Sequence, residues 1–371
     1  MNVAFYAPLK PPTSPVPSGD RRIARLLIRA LKLAGHDVEL ASKFKSREPD
    51  GDACCQAQLA ATGDRLAKRL IRRYWSAPKS RRPDVWFTYH LYYKAPDWIG
   101  PLVARELEIP YVAAEASFAP KRAGGPWNAG HDATRDAISG ARLIFGINSV
   151  NAPCVKPLLG TGARYVPMRP FLEDQPRTPV AKETARRDLR LDQDCIWLLA
   201  VAMMRDGAKL QSYSLLAEAM ALVPNGNWRL LVVGDGPAEN QVRELLGGIP
   251  VLYAGRKSVA ELERCYQAAD IFVWPAINEA YGMATLEAAR AGLPAVAGNT
   301  GGVGDIVCHG ETGFLTKPGD AVNFAWALQK LLDDPCLRTK MGAAAAARVK
   351  SEHSLAAASQ LLDTELRKVV V

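Results

Sequence analysis

Short apolar runs alternate with segments whose apolar residues recur every three or four positions along most of this chain. Val3–Tyr6 is such a run. Ile23, Leu26, Leu27, Ala30 and Leu31 then share one helical face, with Arg22, Arg25, Arg29 and Lys32 on the other. Gly35-His36-Asp37 ends that helix and leads into a second run at Val38–Leu40. Runs at Asp84–His90, Tyr111–Ala114, Leu143–Ile147 and Tyr165–Val166 predict further strands in the first half. Cys195–Met204, Trp228–Val233, Val251–Ala254 and Asp270–Trp274 do the same in the second, each bounded by turn residues. Strand, loop, helix and strand in repetition predict α/β architecture with doubly wound parallel sheets.

A length of 371 residues suggests two domains. Pro167, Pro170, Pro176 and Pro179 among charges predict the boundary. The expected division is residues 1–170, a linker over 171–190, a second domain over 191–352 and a helical tail over 353–371. No apolar run reaches the ~18 residues of a membrane span, and Met1–Pro8 lacks the basic-then-apolar order of a signal peptide. Seven cysteines without metal spacing, Cys54 and Cys55 adjacent among them, argue for a reducing, cytoplasmic setting.

The net charge of +9 is concentrated at one end. Residues 1–100 hold 18 Lys+Arg against 9 Asp+Glu, and the remainder holds 29 of each. Between residues 43 and 82, Arg65, Lys68, Arg69, Arg72, Arg73, Lys79, Arg81 and Arg82 are interleaved with Leu66, Leu70, Ile71, Tyr74 and Trp75. Two readings stay open: a solvated helix with one buried stripe, or a peripheral contact with anionic lipid headgroups or a lipid-pyrophosphate acceptor on the inner membrane face. No RNA- or DNA-binding module accompanies the patch, so nucleic acid is not an expected partner.

The second half is organised around residues 276–294. After the strand ending at Trp274-Pro275, the apolar spacing becomes helical beyond Gly282, through Met283, Leu286 and Ala289, and stops at Gly292 and Pro294. A helix start offers unpaired N–H groups and the positive end of the dipole. Gly282 permits close backbone approach, so the amides of Met283, Ala284 and Thr285, with the Thr285 hydroxyl, form a candidate phosphate cradle. Glu279 precedes it and Glu287 follows about one turn on. Carboxylates on both sides of an anion site suit a ligand with phosphates in the middle and hydroxyls at both ends, as in a nucleotide-sugar. Arg205 and Lys209, in a loop after the Cys195–Met204 strand, are candidate cations for the diphosphate. His90 and Glu115 fall at the carboxyl ends of predicted strands, the usual ligand edge of such sheets.

Glu279 and Glu287, eight apart with Tyr281-Gly282 between them, resemble the E-x7-E signature of the retaining glycosyltransferase family 4, which has the GT-B fold. Glu287–Ala297, Gly301–Val307 and Gly310–Leu315 continue the likeness. It is dense over residues 195–350 and looser before them. Ala280 stands where Gly is usual and Tyr281 where Phe is common. The resemblance implies two Rossmann-like domains facing a cleft, the last helix crossing back to the first, and retention of anomeric configuration. It implies a hexose moved from a UDP- or GDP-linked donor to a glycan or lipid-linked acceptor, in polysaccharide or glycolipid biosynthesis. In it, Gly19 matches one glycine of a loop facing the diphosphate or acceptor, and His90 approaches the donor sugar. Glu115 replaces a histidine found in some relatives and bears on the acceptor. Arg205 and Lys209 match an Arg–Lys pair usually five apart, here four, and Arg256 lies in the loop beside the base.

No metal or other cofactor is expected. Asp192-Gln193-Asp194 has the D-x-D spacing of metal-dependent GT-A enzymes but precedes a strand. Gly234-Asp235-Gly236 lacks the third glycine of a dinucleotide fingerprint, since Glu239 stands there. The competing readings are another GT-B activity, a nucleotide-sugar epimerase or a phosphorolytic enzyme, and a non-catalytic nucleotide-sugar-binding protein.

Overall fold

The computed structural model describes residues 1–16, 18–173 and 180–370. Pro17 of the proline-rich loop, and Pro176 and Pro179 of the expected linker, lie outside these. The chain forms two compact units, Met1–Arg169 with Leu355–Val371, and Pro170–Ser354.

The N-terminal unit runs β1 (Asn2–Tyr6), α1 (Gly19–Leu33), β2 (Asp37–Ser42), α2 (Ala53–Ser76), β3 (Val85–Leu91), α3 (Gly100–Glu106), β4 (Tyr111–Ala116), α4 (Asn128–Ser139), β5 (Leu143–Gly146), α5 (Ala152–Val155) and β6 (Arg164–Pro167). Its sheet is parallel, in the order β2-β1-β3-β4-β5-β6. Phe5, Phe87 and Phe145, one from each of three strands, stack on one face of the sheet with centroids 5.7 and 6.2 Å apart.

The C-terminal unit runs α6 (Lys182–Asp188), β7 (Ile196–Val201), α7 (Ala208–Leu222), β8 (Trp228–Val233), α8 (Glu239–Leu245), β9 (Val251–Gly255), α9 (Val259–Ala268), β10 (Ile271–Trp274), α10 (Met283–Arg290), β11 (Ala295–Gly298), α11 (Val303–Ile306), β12 (Gly313–Thr316), α12 (Ala321–Asp333) and α13 (Pro335–Glu352). Its sheet is again parallel, in the order β12-β11-β10-β7-β8-β9. The last helix, α14 (Leu355–Arg367), packs on α1 in the N-terminal unit, where Arg164 of β6 pairs with Glu365.

The α/β reading of two doubly wound sheets holds. The described part of the expected linker does more than connect. Arg186 of α6 is buried, donates to the Asp270 carboxylate at 2.5 Å and to the Ala268 carbonyl at 3.0 Å. Lys182 and the Trp197 amide also donate to Asp270, each at 2.7 Å. That carboxylate fastens α6 to the start of β7, so residues 182–188 belong to the C-terminal unit. Sequence spacing cannot show this, because Asp270 is more than 80 residues away.

The strand orders matter for function. In the first sheet the chain goes one way from β1 to β2 and the other way to β3. In the second, β7 leads outward to β8 and β9, while β10 leads to β11 and β12 on the other side. Such reversals open a crevice at the carboxyl ends of the two central strands, where ligands bind in open α/β sheets. The crevices lie after β1 and β3 in one unit, and after β7 and β10 in the other.

Candidate functional site

In the C-terminal unit the carboxyl edge of β7 and β10 carries Arg205, Lys209, Glu279 and the start of α10. β7 delivers the loop with Arg205, and α7 starts at once, carrying Lys209. Arg205 is exposed and forms no ion pair among the described residues. Lys209 Nζ donates to the Glu279 carboxylate, each side chain about one-fifth exposed, and stands 5.3 Å from the centre of the Trp274 ring. The pair bridges the neighbouring strands β7 and β10 across the reversal.

The loop from Pro275 to Gly282 is held from several sides. The Ile277 amide donates to Ser212 Oγ of α7 at 2.9 Å, Thr300 Oγ1 donates to the Ala276 carbonyl, and the Gly302 amide donates to the Ala280 carbonyl at 2.9 Å. Ala276 and Asn278 adopt φ of 56° and 49°, a strain that persists where surrounding structure over-determines it. Gly301 has to be glycine, since a Cβ there would lie 1.8 Å from the Glu279 carbonyl oxygen. The second sheet thus fixes the backbone that presents Glu279.

Gly282 caps α10 with φ 70°, a left-handed conformation suited to glycine, and no side chain caps the helix. The first intrahelical bond runs from the Leu286 amide to the Gly282 carbonyl at 3.0 Å. The amides of Met283, Ala284 and Thr285 therefore lie ahead of the ladder, as an anion site requires. Thr285 is 1% exposed and its Oγ1 has no hydrogen-bond partner among the described residues. An unsatisfied buried hydroxyl is uncommon and calls for a reason.

Glu287 is also buried, and Tyr266 of α9 donates its hydroxyl to Glu287 Oε2 at 2.8 Å. Sequence reasoning missed Tyr266. Its only signal was a tyrosine on the apolar face of α9, which reads as core. Arg256 is exposed just past β9, the edge strand two places beyond β7. Asp192 and Asp194 lie in the turn before β7, at the opposite edge from these residues. Among the described residues no group of three or more His, Cys, Asp or Glu side chains is placed to hold a metal ion.

The N-terminal unit holds Gly19, His90 and Glu115 at its own carboxyl edge. Gly19 is the first residue of α1, capped by Ser18, whose side chain accepts from the Arg21 amide at 3.2 Å. His90 Nδ1 lies 2.8 Å from Asp20 Oδ1. Glu115 is 4% exposed. Its Oε2 accepts from the Ile147 and Asn148 amides at 3.1 and 3.0 Å, and its Oε1 from Asn151 Nδ2 at 2.8 Å. Burial pushes its carboxyl up to about 7 against the opposing effects of His90 and these donors.

Two parallel six-stranded sheets, each with its crevice at the carboxyl edge, define the GT-B class of fold. The solved structure of Anabaena HepE in complex with UDP superposes with a TM-score of 0.73 at 16% identity, over 99% of this chain and all of that one. Residues 183–348, most of the C-terminal unit, match the family described as Glycosyl transferases group 1. The sulfoquinovosyl transferase SQD2 of Arabidopsis thaliana is 37% identical over 138 residues, 36% of this chain and 27% of its own length. The D-inositol 3-phosphate glycosyltransferase of Pseudarthrobacter chlorophenolicus is 31% identical over 221 residues, 57% of this chain and 52% of its own. The chain spans about half or less of the length of these curated relatives.

Proposed function

We propose that the protein is a retaining glycosyltransferase that moves a hexose from a UDP- or GDP-linked donor to a glycan or lipid-linked acceptor, without a catalytic metal. The observation that carries this reading is the unpartnered Thr285 hydroxyl at the open start of α10, with Glu279 before it and Glu287 after it. Both named relatives are sugar transferases, and HepE holds UDP.

The chemistry follows from charge. As the donor's glycosidic bond breaks, the departing diphosphate gains negative charge and the anomeric carbon becomes positive. Preorganised donors aimed at that developing charge speed the step, and removing one commonly costs ~10²–10³ in rate. In this reading the α10 amides and Thr285 hold the diphosphate, with Arg205 and Lys209 as its cations. Glu279 orients sugar hydroxyls and keeps Lys209 in place. Glu287, fixed by Tyr266, accepts from the ribose hydroxyls, and Arg256 flanks the base. In the N-terminal unit His90 supports a sugar. Gly19 lines the same edge, and Glu115 acts on the acceptor by shaping the 147–151 turn.

The basic face of α2 supports work at an anionic surface. Arg65, Lys68, Arg69, Arg72 and Arg73 are exposed, and Trp75 is 51% exposed with the Arg82 guanidinium 4.9 Å from its ring centre. No helix among the described residues is long and apolar enough to cross a membrane. A peripheral site on the cytoplasmic face, with a lipid-linked acceptor, fits both features.

The test is a thermal-shift screen of UDP, GDP and ADP, and then of their sugar derivatives. The selected donor is next incubated with acceptor extracts in the presence of a chelator. Stabilisation by one nucleotide and transfer with retained configuration are expected. Change of the donor without any acceptor would make the protein an epimerase, and tight binding without turnover would make it a binding protein.

A further inference from the structure

The carboxyl edge of the first sheet holds a charge relationship that the fold alone does not require. In the β3–β4 pairing Tyr89 faces Ala114 and Leu91 faces Ala116, so His90 and Glu115 stand abreast between them. Both are non-glycine residues with left-handed φ, 62° and 59°. Paired strain of this kind on adjacent strands tends to mark a functional site.

Asp20 reaches this edge from the first turn of α1, across the reversal between β1 and β3. Burial raises its carboxyl, but the hydrogen bond to His90, the charge His90 carries when protonated, a backbone hydrogen bond and Lys10 together hold the group below its ordinary value. An ionised carboxylate only accepts hydrogen bonds. At 2.8 Å the shared proton therefore belongs to His90 Nδ1, which donates to Asp20. A neutral imidazole carries one N–H, so its Nε2 is left a bare acceptor. The ring is kept in place by Tyr89 and Tyr92, with centroids 5.7 and 5.2 Å away. The other charged groups here are Glu115 on β4, Lys10 acting on Asp20 and Arg47 acting on Tyr92.

We propose that Asp20 is a positioning residue that fixes His90 as the Nδ1–H tautomer, so that Nε2 accepts a hydrogen bond from a hydroxyl of a bound sugar or polyol. The identity of that hydroxyl rests on the glycosyl-transfer reading; the tautomer does not. The same geometry gives Glu115 a supporting place, since both its oxygens are engaged by residues 147–151.

The experiment is long-range proton–nitrogen NMR of the full chain labelled with ¹⁵N-histidine, at a pH above the imidazole range. The wild-type His90 signal should show a protonated Nδ1 and an unprotonated Nε2. In Asp20→Ala the proton should redistribute towards Nε2. With donor and acceptor present, that variant should lose about tenfold in kcat/KM, as expected when one positioned hydrogen bond to the sugar is lost. A wild-type His90 protonated at Nε2 overturns the proposal, and so does an Asp20→Ala spectrum identical to wild type. Should the variant not fold, the wild-type spectrum still decides the tautomer. Because the spectrum needs no substrate, its outcome is independent of whether the protein transfers sugars.

Discussion

Tyr266 donates its hydroxyl to Glu287 across 2.8 Å, linking α9 to α10 inside the C-terminal unit. Neither residue is more than 8% exposed. A buried carboxylate that loses a donor loses part of its orientation and of its compensation for burial. Tyr266→Phe should therefore weaken nucleotide affinity by roughly tenfold, from the ~1.5 kcal/mol of a hydrogen bond to a charged group. Glu287→Ala should weaken it further, with kcat changing less than affinity in both variants. Calorimetric titration with the preferred nucleoside diphosphate measures this, and unchanged affinity in both variants would remove Glu287 from the site.

Lys209 and Glu279 form the ion pair that spans β7 and β10. If Glu279 acts on the sugar and also steadies a cation at the leaving group, Glu279→Ala should lower kcat by ~10²-fold or more. Affinity for the free nucleoside diphosphate should stay near wild type, the reverse of the Glu287→Ala pattern. Steady-state kinetics beside nucleotide binding distinguishes them. Wild-type turnover in Glu279→Ala would falsify the catalytic role.

Thr285 buries an Oγ1 with no partner among the described residues. Thr285→Val removes that hydroxyl at nearly constant volume. The ligand-free protein should be as stable as wild type or up to ~1 kcal/mol more so, while affinity for the diphosphate drops several-fold. Opposite movement of Tm and affinity is the signature. A loss of stability with unchanged affinity would mean the hydroxyl serves the fold.

Glu115 gives a pH dependence of defined sign. Its carboxyl is raised to about 7 in the folded chain, against about 4.3 in an unfolded one. Its stabilising contribution is complete below the unfolded value and is lost as pH rises through about 7. The loss is on the order of 4 kcal/mol at most, from the shift alone. Denaturant titrations from pH 4 to 8 should show a decline in wild type that Glu115→Gln flattens. Parallel curves would show that other groups set the slope.

Asp270 accepts from Arg186, Lys182 and the Trp197 amide. Asp270→Ala leaves a buried guanidinium without its carboxylate and should cost about 3–5 kcal/mol. Chemical denaturation of the variant, and proteolysis at the freed α6, test it. A change under 1 kcal/mol would show that α6 docks by its apolar contacts alone.

The first sheet, and β7 to β10 of the second, were legible in the sequence because parallel strands are short apolar runs separated by helical periods, and that periodicity survives without knowledge of neighbours; β11 and β12, each four residues long, were not read from it. The helix start after Gly282 was legible too, since a strand, a glycine and a helical period are local features, and so was the eight-residue spacing of Glu279 and Glu287. The order of the strands was not, nor was anything that depends on it. The adjacency of β7 and β10 brings Lys209 to Glu279 over a separation of 70 residues, and that of β1 and β3 brings Asp20 to His90 over the same distance. Tyr266 looked like core, and residues 182–188 looked like linker, for the same reason. A sequence records each residue's polarity and its local spacing. Which hydrogen bond a buried polar group makes is decided by packing between elements far apart in the chain, because only folding removes the water that would otherwise satisfy it.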